Sequence, residues 1–362
     1  VLKKGAEKSS ITCTKNVQAQ VDNQTKKAIS VKIADGTTLK VESGESCTIT
    51  PKGKKEDTSG EDKTDEKDKT DGKDQKTDDT SDGNASSGSS SSGNSSGGTT
   101  VETPSKLTEA DLLKQGYQLK WQDNFDGNFL NRADWNVELH EKGWVNSEWQ
   151  EYVDSDKNIQ VKDGKLLIKP VETVNADGTR SYTSGRINTQ GKHDFKYGYF
   201  ECRAKVPTGK GYLPAFWMMP TDENLYGQWP RCGEIDAMEV MGQETNKVYG
   251  TIHYGSPHAE KQGTYTLEDG NFADEYHTFS CDWQPGKITW YVDGVKYHET
   301  SDWFTAVEGE TEVAYPAPFD QPFYMILNVA VGGSWVGNID DTTPFDEKAQ
   351  LAVDYVRVYQ KD

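Results

Sequence analysis

No stretch of about 18 apolar residues occurs anywhere in this chain, so no membrane-spanning helix is expected. Hydrophobic residues make up only 33 % of the 362, below the roughly 45–50 % usual for globular proteins. Cysteine is scarce. The five, Cys13, Cys47, Cys202, Cys232 and Cys281, form no Cys-x-x-Cys pair, which speaks against a zinc site. Positive charge is in deficit too: 40 Lys and Arg against 59 Asp and Glu leave a formal net charge of -19. Such a chain lacks the basic face that a nucleic-acid partner requires, and it disfavours strongly anionic polymers. Also missing are a phosphate-binding glycine loop, a Gly-x-Ser-x-Gly elbow and a His-Glu-x-x-His helix. No signal-peptide pattern is read here, and a chain that starts at Val1 is expected to be a trimmed or mature fragment.

Apolar residues are unevenly spread, which divides the chain into three. Residues 1–50 carry short alternating runs, Ala28 to Ile33 and Leu39 to Val41, around an Asp35-Gly36 hairpin signal. They read as a small β module or a fragment of one. Cys13 and Cys47 flank it and could bridge it. Residues 51–104 are first rich in Lys, Asp and Thr and then in Ser and Gly, with almost nothing to bury, so a disordered linker is expected. Residues 105–362 form the third part, long enough to bury one large core.

In that third part strand-like runs recur, among them Leu166 to Ile168, Tyr199 to Val206, Lys287 to Val292, Phe323 to Val331 and Ala352 to Tyr359. Turn signals at Pro285-Gly286 and Asp293-Gly294 separate some of them. Helical periodicity is confined to Thr108–Lys114. The pattern is all-β, an antiparallel sandwich. Cys202 and Cys281 lie inside strand runs and read as small buried hydrophobes.

The densest chemistry is Gly233-Glu234-Ile235-Asp236-Ala237-Met238-Glu239-Val240. On a strand of period two, Glu234 and Asp236 share a face, while Glu239 falls on the other. One extra residue near Ala237-Met238, a β-bulge, would return Glu239 to the face of its neighbours. Glu234 and Glu239 would then stand about 13 Å apart at Cα, at ~3.3 Å per step. Converging side chains would close this to about 5–6 Å, against the ~5–5.5 Å that retaining glycosidases use and ~6.5–9.5 Å for inverting ones. In this reading Glu234 attacks the sugar carbon, Glu239 is the acid/base, and Asp236 hydrogen-bonds the nucleophile. An acid-rich edge strand or a calcium cluster stays open as an alternative.

These residues resemble the active-site strand of glycoside hydrolase family 16, in the Glu-x-Asp-x-x-Glu form found in its laminarinases. Further segments are similar to the family: Tyr182 to Asn188, Tyr197 to Pro207, Leu213 to Pro220, Gly332 to Gly337 and Val353 to Gln360. The resemblance runs from about Trp121 to Gln360. It implies a β-jelly-roll sandwich of two stacked antiparallel sheets with a concave substrate cleft. It also implies retaining endo-hydrolysis of β-1,3-glucan or mixed-linkage β-1,3-1,4-glucan, with no cofactor for catalysis. The same resemblance makes Glu234 the nucleophile, Asp236 the assisting acid and Glu239 the acid/base. The alternatives are a non-catalytic, lectin-like glucan-binding jelly roll, or cleavage of another β-linked polysaccharide such as agar.

The resemblance places His253 close to the acid/base, where an imidazole can tune and orient it; a satisfied strand histidine is the other reading. His253 and His258 make no convincing metal pair, since no third ligand is evident. Trp217, Trp229 and Trp335 are candidate sugar platforms, because pyranose C–H faces stack on aromatic planes. Trp217 could equally be core. Asn146, in Gly143-Trp-Val-Asn-Ser-Glu148, together with Arg186 and Asn188, are the expected polar partners. Many family members carry a structural calcium ion, and the matching positions are the backbone oxygens of Asn124 and Gly164 and the Asp354 carboxylate, an oxygen set suited to that ion. The whole is expected to be a secreted, monomeric catalytic domain within a larger modular protein.

Overall fold

The computed structural model describes residues 106–305 and 313–361, together with the backbone of five short strands nearer the N-terminus. The chain divides into two units, Val1–Asn94 and Ser95–Asp362. In the first, Ile29–Ile33 and Thr38–Val41 pair antiparallel across the expected hairpin, and Thr12–Cys13 adds in parallel. Ala19–Asp22 pairs with Ser46–Ile49. The Cys13 and Cys47 side chains and the linker lie outside the described residues.

The second unit is built mainly from two eight-stranded sheets, whose strands we number β1 to β16 in chain order, with a small third sheet formed by Gln150–Tyr152, Val171–Val174 and Arg180–Ser184. The outer sheet runs β14 (Val295–Thr300), β13 (Lys287–Val292), β12 (His277–Gln284), β7 (Gly198–Lys205), β16 (Leu351–Lys361), β4 (Lys165–Ile168), β3 (Ile159–Lys162), and β1 (Tyr117–Asp123) also pairs with β16. The inner sheet runs β11 (Ala259–Thr266), β10 (Lys247–Tyr254), β9 (Glu234–Glu239), β8 (Tyr212–Pro220), β15 (Phe323–Val331), β5 (Arg186–Asn188), β2 (Asn136–Val137), and β6 (Asp194–Phe195) pairs with β15. Every pairing within the two sheets is antiparallel. The fold is the expected all-β jelly-roll sandwich.

Alternation explains the packing. Along β8, Phe216 and Met218 enter the core between the sheets, where they join Phe200, Cys202, Cys281 and Trp290 from the outer sheet. Trp217 and Met219 turn to the opposite, cleft side with Tyr324 and Ile326 of β15. All nine residues of β15 are buried, because its cleft face is covered by side chains as well. Cys202, Cys232 and Cys281 are fully buried, and burial pushes their thiols up. They behave as small apolar residues.

Local signals set the boundaries. The helix Glu109–Lys114 is capped by Thr108, whose hydroxyl accepts from the Asp111 N–H while the Asp111 carboxylate accepts from the Thr108 N–H. The turn from β13 to β14 holds Asp293 at φ 49° and Gly294 at φ 77°, the two left-handed residues a type I′ hairpin demands.

Candidate active site

In β9 the register is broken where the acid spacing requires it. Asp236 pairs with Thr251 and Glu239 with Tyr249, so three steps along β9 match two along β10. On the other side Phe216 faces Met238 and Trp217 faces Asp236, which leaves Ala237 as the extra residue. The bulge sends Ile235, Ala237, Met238 and Val240 into the core. It leaves Glu234 and Glu239 half-buried on the cleft face, with Asp236 almost fully enclosed between them.

Two rows of side chains then cross the inner sheet at right angles to the strands. One reads Thr251, Asp236, Trp217, Ile326, Asn188 and Asn136, each the cross-strand partner of the next. The other reads Tyr249, Glu239, Ala215, Asn328 and Arg186. Partners in register point to the same side, and at ~4.8 Å between strands the first row spans roughly 24 Å. A cleft of that direction suits a polymer lying across the sheet.

Around the acids, the Trp229 indole N–H donates to Glu234 Oε2 at 2.7 Å. His253 Nε2 faces Asp236 Oδ2 at 3.4 Å. Burial raises Glu234, and the adjacent Asp236 carboxylate raises it further, while His253 and the Trp229 N–H pull the other way. Burial likewise lifts Glu239 well above the ordinary glutamate range, with the charges of Asp236 and Glu234 adding to it. Burial works against protonated His253, yet the Asp236 contact and the surrounding acids outweigh it and raise the imidazole to about 9. The set therefore pairs carboxyls that hold protons readily with an imidazolium that balances their charge.

The other expected residues fall along the same cleft. Trp229 and Trp335 are 47 % and 44 % exposed, which puts both on the rim rather than in the core. Trp229 packs against His258 with ring centres 5.1 Å apart, and Trp335 packs edge-on against Tyr249 at 5.1 Å. They flank opposite ends of the acidic strand. Trp217 is half-buried on the cleft face, its N–H donating to Asn328 Oδ1 at 2.7 Å and the Arg186 guanidinium 4.7 Å above its ring. Arg186 and Asn188 converge on Glu138, at 2.7 Å and 2.6 Å. Asn146 is exposed at φ 51°, and its carbonyl accepts from the Ser334 N–H and so ties two rim loops together.

Several residues escaped the sequence reading. Glu138 carries no local signal, because Arg186 and Asn188, the cleft residues it holds, are about 50 residues away. Trp144 is 49 % exposed, stacks on His140 at 3.5 Å and lies beneath the Arg186 guanidinium at 5.2 Å. Its signal was present in the run that yielded Asn146. Glu260 pairs with His253 across the β10–β11 hairpin and brings a carboxylate to the His253–His258 pair, where no third ligand was expected.

The calcium positions are less well suited to their ion. Asn124 follows β1, Gly164 lies in the turn between β3 and β4, and Asp354 lies in β16. The Asp354 carboxylate receives Arg203 Nη1 at 2.5 Å and Lys165 Nζ at 3.6 Å. A cation there would meet two cationic side chains, so the residues as placed do not fit calcium.

Comparison with known proteins agrees with this geometry. Residues 145–357 match the model of glycosyl hydrolases family 16. A glucan endo-1,3-beta-glucosidase A1 of Niallia circulans is 40 % identical over 273 residues, covering 70 % of this chain and 39 % of that protein. A glucan endo-1,3-beta-glucosidase of Cryptopygus antarcticus is 38 % identical, covering 66 % of this chain and 90 % of the relative. The endo-beta-1,3-glucanase structure from Pyrococcus furiosus superposes with a TM-score of 0.57 at 40 % identity, covering 67 % of this chain and 94 % of that one. The chain thus spans well under half of one relative and nearly all of another. With the family model matched over more than half its length and the sandwich in place, this chain belongs to glycosyl hydrolases family 16 and is a glycoside hydrolase.

Proposed function

We propose that this chain cleaves internal bonds of β-1,3-glucan, or of mixed-linkage β-1,3-1,4-glucan, by a retaining double displacement. The observation that carries this reading is the bulge at Ala237, which puts Glu234 and Glu239 on one face with Asp236 between them. In the first step a Glu234 oxygen attacks the anomeric carbon as the glycosidic C–O bond breaks, and Glu239 gives its proton to the departing oxygen. In the second, Glu239 takes a proton from water, the water oxygen bonds to the anomeric carbon, and Glu234 is released. Asp236 fixes the Glu234 carboxyl, and His253 holds Asp236 in turn. Burial, with the neighbouring Asp236 and Glu234 charges, raises Glu239 well above the ordinary glutamate range and so favours the protonated form that the first step requires. Trp229 and Trp335 offer stacking faces at either end, and Arg186, Asn188 and Asn146 offer hydrogen bonds to hydroxyls.

The β-1,3-glucan substrate is supported by the names of the relatives and by an open row of side chains that lets a polymer pass through. A glucan-binding protein on the same sandwich could keep the aromatic rim without the acids; all three acids here favour the enzyme. A polymeric substrate favours action outside the cell. The deciding experiment is product analysis on laminarin and lichenan side by side. Release of short β-1,3-linked oligosaccharides of retained anomeric configuration, abolished in Glu234→Ala, is expected. Inverted products, or unchanged turnover in that variant, would refute the mechanism.

A further inference from the structure

His253, His258 and Glu260 present three donor atoms, one from each side chain, that all lie within 4.8 Å of one another at the mouth of the cleft. His253 Nδ1 and His258 Nε2 are 2.9 Å apart, and Glu260 Oε2 is 3.6 Å from His253 Nδ1. Tetrahedral zinc with bonds of ~2.0–2.1 Å separates its ligands by about 3.3 Å, between those two spacings. We infer that this trio is a binding site for a zinc-class divalent cation, held by His253 Nδ1, His258 Nε2 and a Glu260 oxygen, with a further position open to solvent.

Three features support it. Two ring nitrogens facing each other at 2.9 Å can hold only one proton between them, and a cation takes that proton's place. The other nitrogen of His253 faces the buried Asp236 carboxylate, the arrangement that orients a metal-bound histidine and strengthens it as a donor. His258 and Glu260 are exposed, so an ion has a path in. Two imidazoles and one carboxylate suit zinc, copper or nickel and not magnesium or calcium. The hairpin supplies the rigidity, since His253 and Glu260 are cross-strand partners. An ion here stands one imidazole away from Asp236, so its occupancy would add positive charge beside the acids and slow the hydrolysis proposed above.

Calorimetric titration of the full chain with zinc chloride tests the site. Zinc is expected to bind, with affinity lowered about tenfold or more in His258→Ala and in Glu260→Ala, while magnesium and calcium leave the zinc isotherm unchanged. Failure of the wild-type chain to bind zinc, undiminished affinity in both variants, or displacement by calcium would overturn it. Laminarin hydrolysis in buffered zinc gives a second reading: inhibition of the wild-type chain and resistance of His258→Ala relative to its own zinc-free rate. Only this second reading rests on the proposed activity, so the calorimetry stands if the chain proves inactive on that substrate.

Discussion

Trp290 of the outer sheet donates its indole N–H across the core to the backbone carbonyl of Asp236, at 2.7 Å. That carbonyl stands where the bulge interrupts the β9–β10 ladder. A polar group set into an apolar core needs a partner, and leaving it bare costs about 1–3 kcal/mol. Gly250 makes room for this donor: a Cβ there would come within 2.5 Å of the Trp290 ring. The core residue thus holds the conformation that aims the acids into the cleft.

Trp290→Phe keeps the aromatic bulk and removes the donor. The expected outcome is a loss of about 1–3 kcal/mol in stability and a fall in kcat larger than any change in KM. Thermal melts and steady-state kinetics check it. Unaltered kcat in a destabilised variant would show that the bulge holds itself.

Glu239→Gln separates stability from catalysis. The folded-state carboxyl titrates well above the ordinary 4.5, so its folding contribution is complete below about pH 4.5 and declines as pH rises toward the folded value. Glutamine does not titrate. Hydrolysis should be lost, and the melting temperature should rise relative to wild type at pH 7 to 8, with the difference shrinking toward pH 4. An equal gap at every pH would argue against the raised carboxyl.

How far these features were readable in advance depends on how local their causes are. The bulge was legible because acids spaced two and then three apart violate a period of two, and only an added residue restores the phase. Lys287–Val292 was legible as a strand from its apolar run and flanking turns, and Phe323–Val331 from its apolar run. Trp217 was ambiguous, since an aromatic in an apolar run looks the same whichever face it takes; only the register with Asp236 and Ile326 settles its side. Glu138 was invisible because it matters through Arg186 and Asn188, which reach it only when β2 joins β5. Glu260 was missed for the same kind of reason: seven residues from His253 in sequence, it becomes a neighbour only when the hairpin closes.

Glu138→Gln tests the buried pair beneath the polar end of the cleft. Burial opposes the Glu138 charge, but Arg186, Asn188 and His140 more than offset it and hold the carboxyl below its usual range. Its stabilisation is present above about pH 4.5 and lost as pH falls through that lower folded value. Removing the charge leaves Arg186, 7 % exposed, without its counter-ion, a change that costs about 3–5 kcal/mol when such a pair is broken. Stability at neutral pH should fall, and KM should rise more than kcat falls. A wild-type melting temperature at pH 7 would sink this account.

Trp229→Phe removes one hydrogen bond and keeps an aromatic face on the rim. The indole N–H favours the ionised form of Glu234, the form that must attack. Without that donor the carboxylate needs a higher pH to form, so the acid limb of the kcat/KM profile should move upward. The alkaline limb, governed by Glu239, should stay in place. Loss of stacking alone would raise KM at every pH and leave both limbs where they are, so full pH-rate profiles on laminarin distinguish a donor that sets the state of the nucleophile from a platform that only holds sugar.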